Sequence, residues 1–244
     1  MIIDFSKRAS ESVMLECAIA LTAISTSSST LKNSLNAYVS ILSTTTELNV
    51  TKVILDKLQL ISGNSKHLED IVEDLIAVLK SPSYEIKENV LQIIRQGLSL
   101  KNAQKVLNEI EREFAECKND DYQVQLVRTV QYLSDTFPET HEKVIATLLE
   151  LIFPNKSLTS LSCQIIKDTL INLVENSDEK TSSTLMASII ESFPTIQAAD
   201  LYKGVLYLFG TYLKNPELLC KALDRVKFSI GSLPITKAIV QETK

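Results

Sequence analysis

Apolar residues recur with the step of an α-helix almost throughout this chain, and that period restricts the fold more than any other feature. Leu68, Ile71, Val72, Leu75, Ile76 and Leu79 advance by 3, 1, 3, 1 and 3 residues, which puts them on one helical face. Ile86, Val90, Ile93, Ile94 and Leu98 form a second stripe. Between the two lies Lys80-Ser81-Pro82-Ser83. Pro82 cannot continue the first helix and pushes Ser81 out of the α region. The pair therefore reads as a tight helical hairpin.

The same grammar continues in both directions. Val50, Val53, Ile54, Leu58 and Ile61 make a stripe that ends at Gly63-Asn64, a helix C-terminal signal. Leu126, Val127, Val130 and Leu133 stop before Phe137-Pro138. Val144, Ile145, Leu148, Leu149 and Ile152 stop at Phe153-Pro154. Leu158, Leu161, Ile165, Leu170 and Leu173 run out in Glu175-Asn176-Ser177-Asp178. Leu185, Ile189 and Ile190 lead to Phe193-Pro194, and two further helical segments span about Ile196–Leu213 and Pro216–Ser229. All 6 prolines fall at helix boundaries, where the missing N–H does least harm. The Ser/Thr-rich stretches Thr22 to Thr30 and Ser43 to Thr46 read as connections.

The spacing predicts an all-α chain of about twelve helices, with about 35–42 residues per hairpin, the rhythm of a HEAT or armadillo stack. Leu79 to Lys87 resembles the HEAT corner, in which a polar, proline-bearing turn precedes an apolar and then a basic residue of the next helix. Asn49-Val50-Thr51-Lys52 and Asp121-Tyr122-Gln123-Val124 are looser versions. No linker interrupts the pattern, so residues 1–244 are expected to form a single α-solenoid. A β-sandwich is disfavoured, because 5 glycines and 6 prolines in 244 residues are too few for its turns.

Composition narrows the function classes. A net charge of −5 lacks the basic surplus of a nucleic-acid binder. Lys7, Arg8, Arg95, Lys101, Lys105 and Lys118 do not interleave with aromatics as single-strand binding requires. Cys17, Cys117, Cys163 and Cys220 stand far apart and read as reduced, mostly buried small hydrophobes. Met1-Ile2-Ile3-Asp4-Phe5 meets a charge without an apolar run behind it, and no segment is apolar over the length of a membrane span. A soluble, cytosolic chain is expected.

Catalytic chemistry needs converging groups, and few are present. His67 precedes Glu69, Asp70, Glu73 and Asp74, which could be imagined as metal ligands. Acidic residues in a first helical turn oppose the macrodipole, and that reading outweighs a metal. His141 beside Glu139 and Glu142 reads the same way, with Pro138 or Thr140 opening the helix; both histidines are expected at solvent. Glu109, Glu111, Glu113 and Glu116 read as a solvated face. No phosphate loop, nucleophile elbow or H-E-x-x-H motif occurs. Gly204 and Gly210 lie in a helical stretch, where the close approach of a neighbouring helix is the expected reason for a glycine. The chain is therefore expected to be no enzyme, with no catalytic residue, no metal and no cofactor.

One segment is more specific. Tyr202-Lys203-Gly204-Val205-Leu206-Tyr207-Leu208-Phe209-Gly210-Thr211-Tyr212 resembles the Y-R-G-A-L-W-I-L-G-E-Y stretch of the coatomer beta subunit family. Tyr207 stands for that family's tryptophan and Thr211 for its acidic residue. Phe228-Ser229-Ile230-Gly231-Ser232-Leu233-Pro234-Ile235 is similar to its S-L-G-E-I-P-I, and Asn49 to Leu58 to its N-V-K-L-I-V-L-D-R-L. Leu126-Val127-Arg128-Thr129-Val130 with Phe137-Pro138 matches its L-V-R-T-L and F-P. These matches keep one order and spacing across nearly the whole chain.

The resemblance implies the middle to late part of an adaptin-like trunk, an α-solenoid of a cytosolic coat that assembles on Golgi membranes. It implies a scaffold for retrograde Golgi-to-endoplasmic-reticulum and intra-Golgi transport, touching membrane only through the coat. A delta-type coatomer subunit is the implied partner, with gamma and zeta subunits in the same subcomplex. The family's main Arf-type GTPase contact belongs to its early trunk, so it is not carried over to this chain. The quoted motifs are mostly core positions and assign no protein-binding residue. A clathrin-adaptor beta-type trunk, or another HEAT adaptor such as a transport-receptor fragment, is the competing reading of the same solenoid.

Overall fold

The apolar stripes are realised as α-helices joined by short corners. The computed structural model describes residues 10–24, 27–45, 47–62, 67–152, 158–177, 179–196 and 198–230. Among these residues there are twelve α-helices and no strand. They are α1 (Glu11–Ile24), α2 (Ser28–Thr44), α3 (Leu48–Ser62), α4 (Leu68–Val78), α5 (Tyr84–Gln96) and α6 (Leu100–Glu116), followed by α7 (Asp120–Thr136), α8 (His141–Ile152), α9 (Ser160–Asn176), α10 (Glu179–Ser192), α11 (Ala199–Tyr212) and α12 (Pro216–Ile230). Short 3-10 turns at Pro138–Thr140 and Phe193–Thr195 carry two of the prolines. Pro82 sits in the α4–α5 corner and Pro216 opens α12. Pro154, Pro234, Gly63-Asn64, Asp178, Met1 to Phe5 and Gly231 to Ile235 lie outside the described residues.

Side-chain capping explains where several helices begin. The Asn119 carboxamide oxygen accepts from the Tyr122 N–H at 2.8 Å, and the Thr159 hydroxyl accepts from the Ser162 N–H at 3.1 Å. Each satisfies an orphan donor of the first turn. Ser27 does the same for Thr30. The Ser/Thr-rich stretches are correspondingly more helical than their composition suggests. α1 runs to Ile24, and α2 starts at Ser28 and continues through Thr44, so only a few residues of each stretch connect helices. Hydroxyls that bond back to the preceding turn, as Thr22 does to Ile19 and Thr44 to Ile41, let these residues stay helical.

The chain divides into two compact units, Met1–Glu109 and Ile110–Lys244, and the boundary falls within α6. In the first unit α2 packs on α4 and α3 on α5, while α1 packs on α2. In the second, α9 packs on both α7 and α11, and α10 on both α8 and α12. Each unit thus stacks helices two apart in sequence, the arrangement of a two-layer solenoid. The predicted core faces are largely buried: Leu68, Ile71, Val72, Leu75, Ile86, Val90, Ile93, Ile94, Leu126, Val127, Val130 and Leu133 are all inside.

Two positions of the predicted stripes are exposed instead. Val53 precedes Ile54 by one residue and so turns about 100° away from it, while Leu55 turns inward. In α9 the buried set is Cys163, Ile166, Leu170, Leu173 and Val174, and Leu161 lies on the other side. The apolar residues there occupy two faces, and composition alone does not say which face is covered.

Candidate functional site

Sequence-distant polar contacts run between stacked helices in a narrow register. In the first unit Lys32 pairs with Asp70, Lys52 with Glu85, Lys101 with Glu69 and Lys105 with Glu73. Ser28 Oγ lies 2.6 Å from His67 Nε2. In the second unit the Thr159 N–H donates to Gln123 Oε1 at 2.9 Å, and Thr147 Oγ1 donates to Glu111 Oε1 at 2.7 Å. Ser160 donates to Asp200, Tyr212 to Glu175 and Arg225 to Glu191. The hydrogen-bonded pairs among these are 32 to 40 residues apart, one hairpin along the chain. Exposed ion pairs contribute at most about 1 kcal/mol each, so these rungs accompany the register of the stack and add little stability.

These rungs engage His67 and three of the four carboxylates of the imagined metal site. Glu69, Asp70 and Glu73 face lysines of α6 and α2, and His67 faces Ser28. Among the described residues no three His, Cys, Asp or Glu side chains are placed to hold a metal ion. His141 does open α8, but its Nε2 lies 3.0 Å from the Ser134 carbonyl oxygen. Both histidines are half-buried and not at open solvent, because each bonds to a group outside its own helix. An opening of about 710 Å³ lies between the ends of α9 and α11 and the starts of α10 and α12. Ser177 and Ser183, which line it, donate to the carbonyls of Leu173 and Glu179, each four residues back.

The acidic run of α6 is not one solvated face. Glu113 is 5% exposed, accepts from the Tyr122 hydroxyl at 3.1 Å, and has Arg112 at 3.8 Å. Glu111 accepts from Thr147. Residues two apart on a helix point to opposite sides, so Glu111 and Glu113 meet different neighbours. Lys101 and Lys105 serve as rungs, Lys118 is exposed, and Lys7 and Arg8 lie outside the described residues.

The Tyr202–Tyr212 segment is part of α11, and it has two faces. Leu201, Gly204, Val205, Leu208 and Phe209 are buried. Phe193 packs at 4.7 Å from Tyr202 and 5.4 Å from Phe209, ring centre to ring centre. Gly204 is explained as expected, since a Cβ there would run into the Lys167 side chain of α9. Gly210 is not: nothing lies within 4 Å of its would-be Cβ, because it faces outward. Tyr207 is 55% exposed, and Thr211 is also exposed. Tyr207 and Thr211, which stand for the family's tryptophan and acidic residue, therefore share the outer face, one turn apart. Tyr212, held by Glu175, has its phenol pushed up to about 12 by that hydrogen bond.

None of the four cysteines is in a disulfide, and only Cys163 is buried; Cys17 and Cys117 are half-buried and Cys220 is exposed on α12. The expectation of mostly buried cysteines fails most clearly at Cys220, which α12 turns outward. Burial, with the Asp200 carboxylate nearby, pushes the Cys163 thiol up to about 11. At pH 8 iodoacetamide is expected to alkylate Cys220 within minutes and to spare Cys163 in the folded chain, read by peptide mass spectrometry. Equal labelling of the two would show that α9 is not packed as described.

Sequence reasoning missed Asn102 altogether. This buried side chain accepts from the Ser99 N–H at 2.9 Å and donates to the Gly97 carbonyl at 3.0 Å, tying the α5–α6 corner. Its one visible signal is an amide three residues after a serine at a helix start.

Comparison with known proteins agrees with this architecture. Residues 4–238 match the family model described as the adaptin N terminal region. The chain is 23% identical over 251 residues to coatomer subunit beta of Pongo abelii, covering 99% of this chain and 26% of the relative. Against coatomer subunit beta of Saccharomyces cerevisiae it is 21% identical over 245 residues, covering 97% of this chain and 25% of the relative. Against that of Drosophila melanogaster it is 23% identical over 240 residues, covering 94% and 24%. The chain thus spans about a quarter of the length of the curated relatives it matches.

Proposed function

Because this chain belongs to the adaptin N-terminal-region family, we propose that it is a helical scaffold segment of a coatomer-type vesicle coat. The observation that carries the reading is similarity to coatomer subunit beta of animals and yeast along nearly all of the chain. The polar rungs support a structural role, since they spend ionisable groups on register. The scaffold works by holding other coat subunits and performs no reaction, with no cofactor. Its partner is a delta-type coat subunit, with gamma and zeta subunits in the wider subcomplex. It acts in retrograde Golgi-to-endoplasmic-reticulum and intra-Golgi transport, in the cytoplasm and on Golgi membranes through the coat. No helix among the described residues is long and apolar enough to cross a membrane. Residues 1–244 act as one cooperative α-solenoid.

The test is affinity purification of the tagged full chain from cytosol, with circular dichroism to show that it is folded. A delta-type coat subunit is expected to co-purify in near-stoichiometric amount and to remain after a wash at about 150 mM salt, a concentration that screens exposed charges beyond about 8 Å. Recovery of the folded chain with no delta-type subunit rejects the proposal. Recovery of clathrin-adaptor subunits in its place would move the chain to the other adaptin branch.

A further inference from the structure

Lys7-Arg8 is the only pair of adjacent basic residues in the chain, and Ser10 stands two residues after it in Lys7-Arg8-Ala9-Ser10. Two cations at the third and second positions before a hydroxyl suit the acidic substrate groove of a basophilic protein kinase. Carboxylates there grip arginine bidentately and attract lysine as a point charge. No other serine or threonine of the chain has basic residues at both positions. The structure separates Ser10 from the weaker candidates. Ser34 and Ser229 each follow a lysine by two residues, but Ser34 is 0% exposed and Ser229 donates to the Arg225 carbonyl at 3.0 Å within α12. Ser10 is exposed and immediately precedes α1. Its carbonyl oxygen accepts from the Met14 N–H at 2.9 Å, the bond that marks an N-cap residue.

We propose that Ser10 is a phosphorylation site for a basophilic serine/threonine kinase, and that the phosphate strengthens the start of α1. In the transfer the Ser10 Oγ forms a bond to the γ-phosphorus of ATP, and the bond from that phosphorus to the β–γ bridging oxygen breaks. ADP leaves, and the hydroxyl proton passes to the kinase's catalytic carboxylate. A kinase groove holds its acceptor extended. Ser10 lies before the helix, so only the first turn of α1, whose N–H groups have no intrahelical partner, has to open. The product places a dianion beside those N–H groups, at the positive end of the helix dipole. α1 is sensitive to its ends, because Ala18 is its one buried residue. The inference uses no property of a coat, so it stands whether or not the chain belongs to a coatomer-type coat.

The experiment incubates the full chain with magnesium, ATP and the purified catalytic subunit of a kinase that selects basic residues at those two positions. Peptide mass spectrometry locates the phosphate, and hydrogen exchange follows the amides of α1. Ser10 is expected to be modified to near completion. Arg8→Ala is expected to slow the reaction at least about tenfold, since one hydrogen bond to a charged group is worth that factor or more. Ser10→Ala should remove the phosphate, and Ser12→Ala should leave the rate unchanged. Circular dichroism should show the same helicity in all three variants. In the phosphorylated chain, amide protection within α1 is expected to rise about two- to fivefold, the factor for an anion at a helix N-terminus. Phosphate on Ser12 or Ser229 in place of Ser10, an unchanged rate in Arg8→Ala, or unchanged protection of α1 after phosphorylation each overturns the proposal.

Discussion

Phe193→Ala is expected to destabilise the chain by about 3–5 kcal/mol, read as a lowered midpoint in urea followed by circular dichroism. Phe193 is 0% exposed and sits in the 3-10 turn that ends α10, with Tyr202 and Phe209 of α11 against its ring. Truncation removes a large apolar surface and leaves a cavity between two helices and a corner, where backbone constraints limit collapse. Pro194 stiffens that corner further. A loss below about 1 kcal/mol would mean that the turn closes over the gap and that the aromatic cluster is not a core. The same variant tests the proposed single stack. If the chain unfolds as one cooperative solenoid, amide protection should fall in both units. A fall confined to residues 110–244 would reject cooperative unfolding.

Gly97→Ala is expected to cost about 1–3 kcal/mol, the range for inserting a methyl group into a packed core. A Cβ at Gly97 would lie 2.8 Å from Val72 Cγ2, and 3.1 Å from the Leu68 carbonyl carbon. The backbone contact is the decisive one, because α4 must move bodily to relieve it. Gly97 also supplies the carbonyl that Asn102 holds. Gly204→Ala provides the control. Its clash is with the Lys167 side chain alone, which must change rotamer from Cγ outward, and alanine is the better helix former by up to about 1 kcal/mol, which offsets part of that cost. Its net loss should be smaller than that of Gly97→Ala, because no backbone has to move. A Gly97→Ala chain as stable as the parent, measured in the same urea series, would show that α4 and α5 are not in contact at this corner.

Much of the fold is legible in the residues themselves. Leu68 to Leu79 and Ile86 to Ile94 declare their helices and the faces that become buried, and Pro82 and Pro216 mark corners. The predicted helix count agrees with the twelve among the described residues. Gly204 is interpretable because a glycine inside an apolar helix needs a neighbour, and Lys167 is that neighbour. Gly210 carries the same signal and has no such neighbour. Val53 and Leu161 mislead for a related reason. Period places an apolar residue around its own axis, but says nothing of whether another helix arrives there.

The burial of Glu113 was not legible at all, because it depends on Tyr122 reaching back across the α6–α7 corner.

Helicity, most helix ends and the inner stripes were thus already written in the order of the residues. Those features depend on interactions within about four residues, which periodicity, caps and prolines encode directly. Which residues meet across 32 to 40 positions, as Lys105 meets Glu73 and Ser160 meets Asp200, emerged only once the helices were packed. That register depends on how the ridges of stacked helices interlock, and a one-turn slip between helices would preserve every stripe while changing every rung.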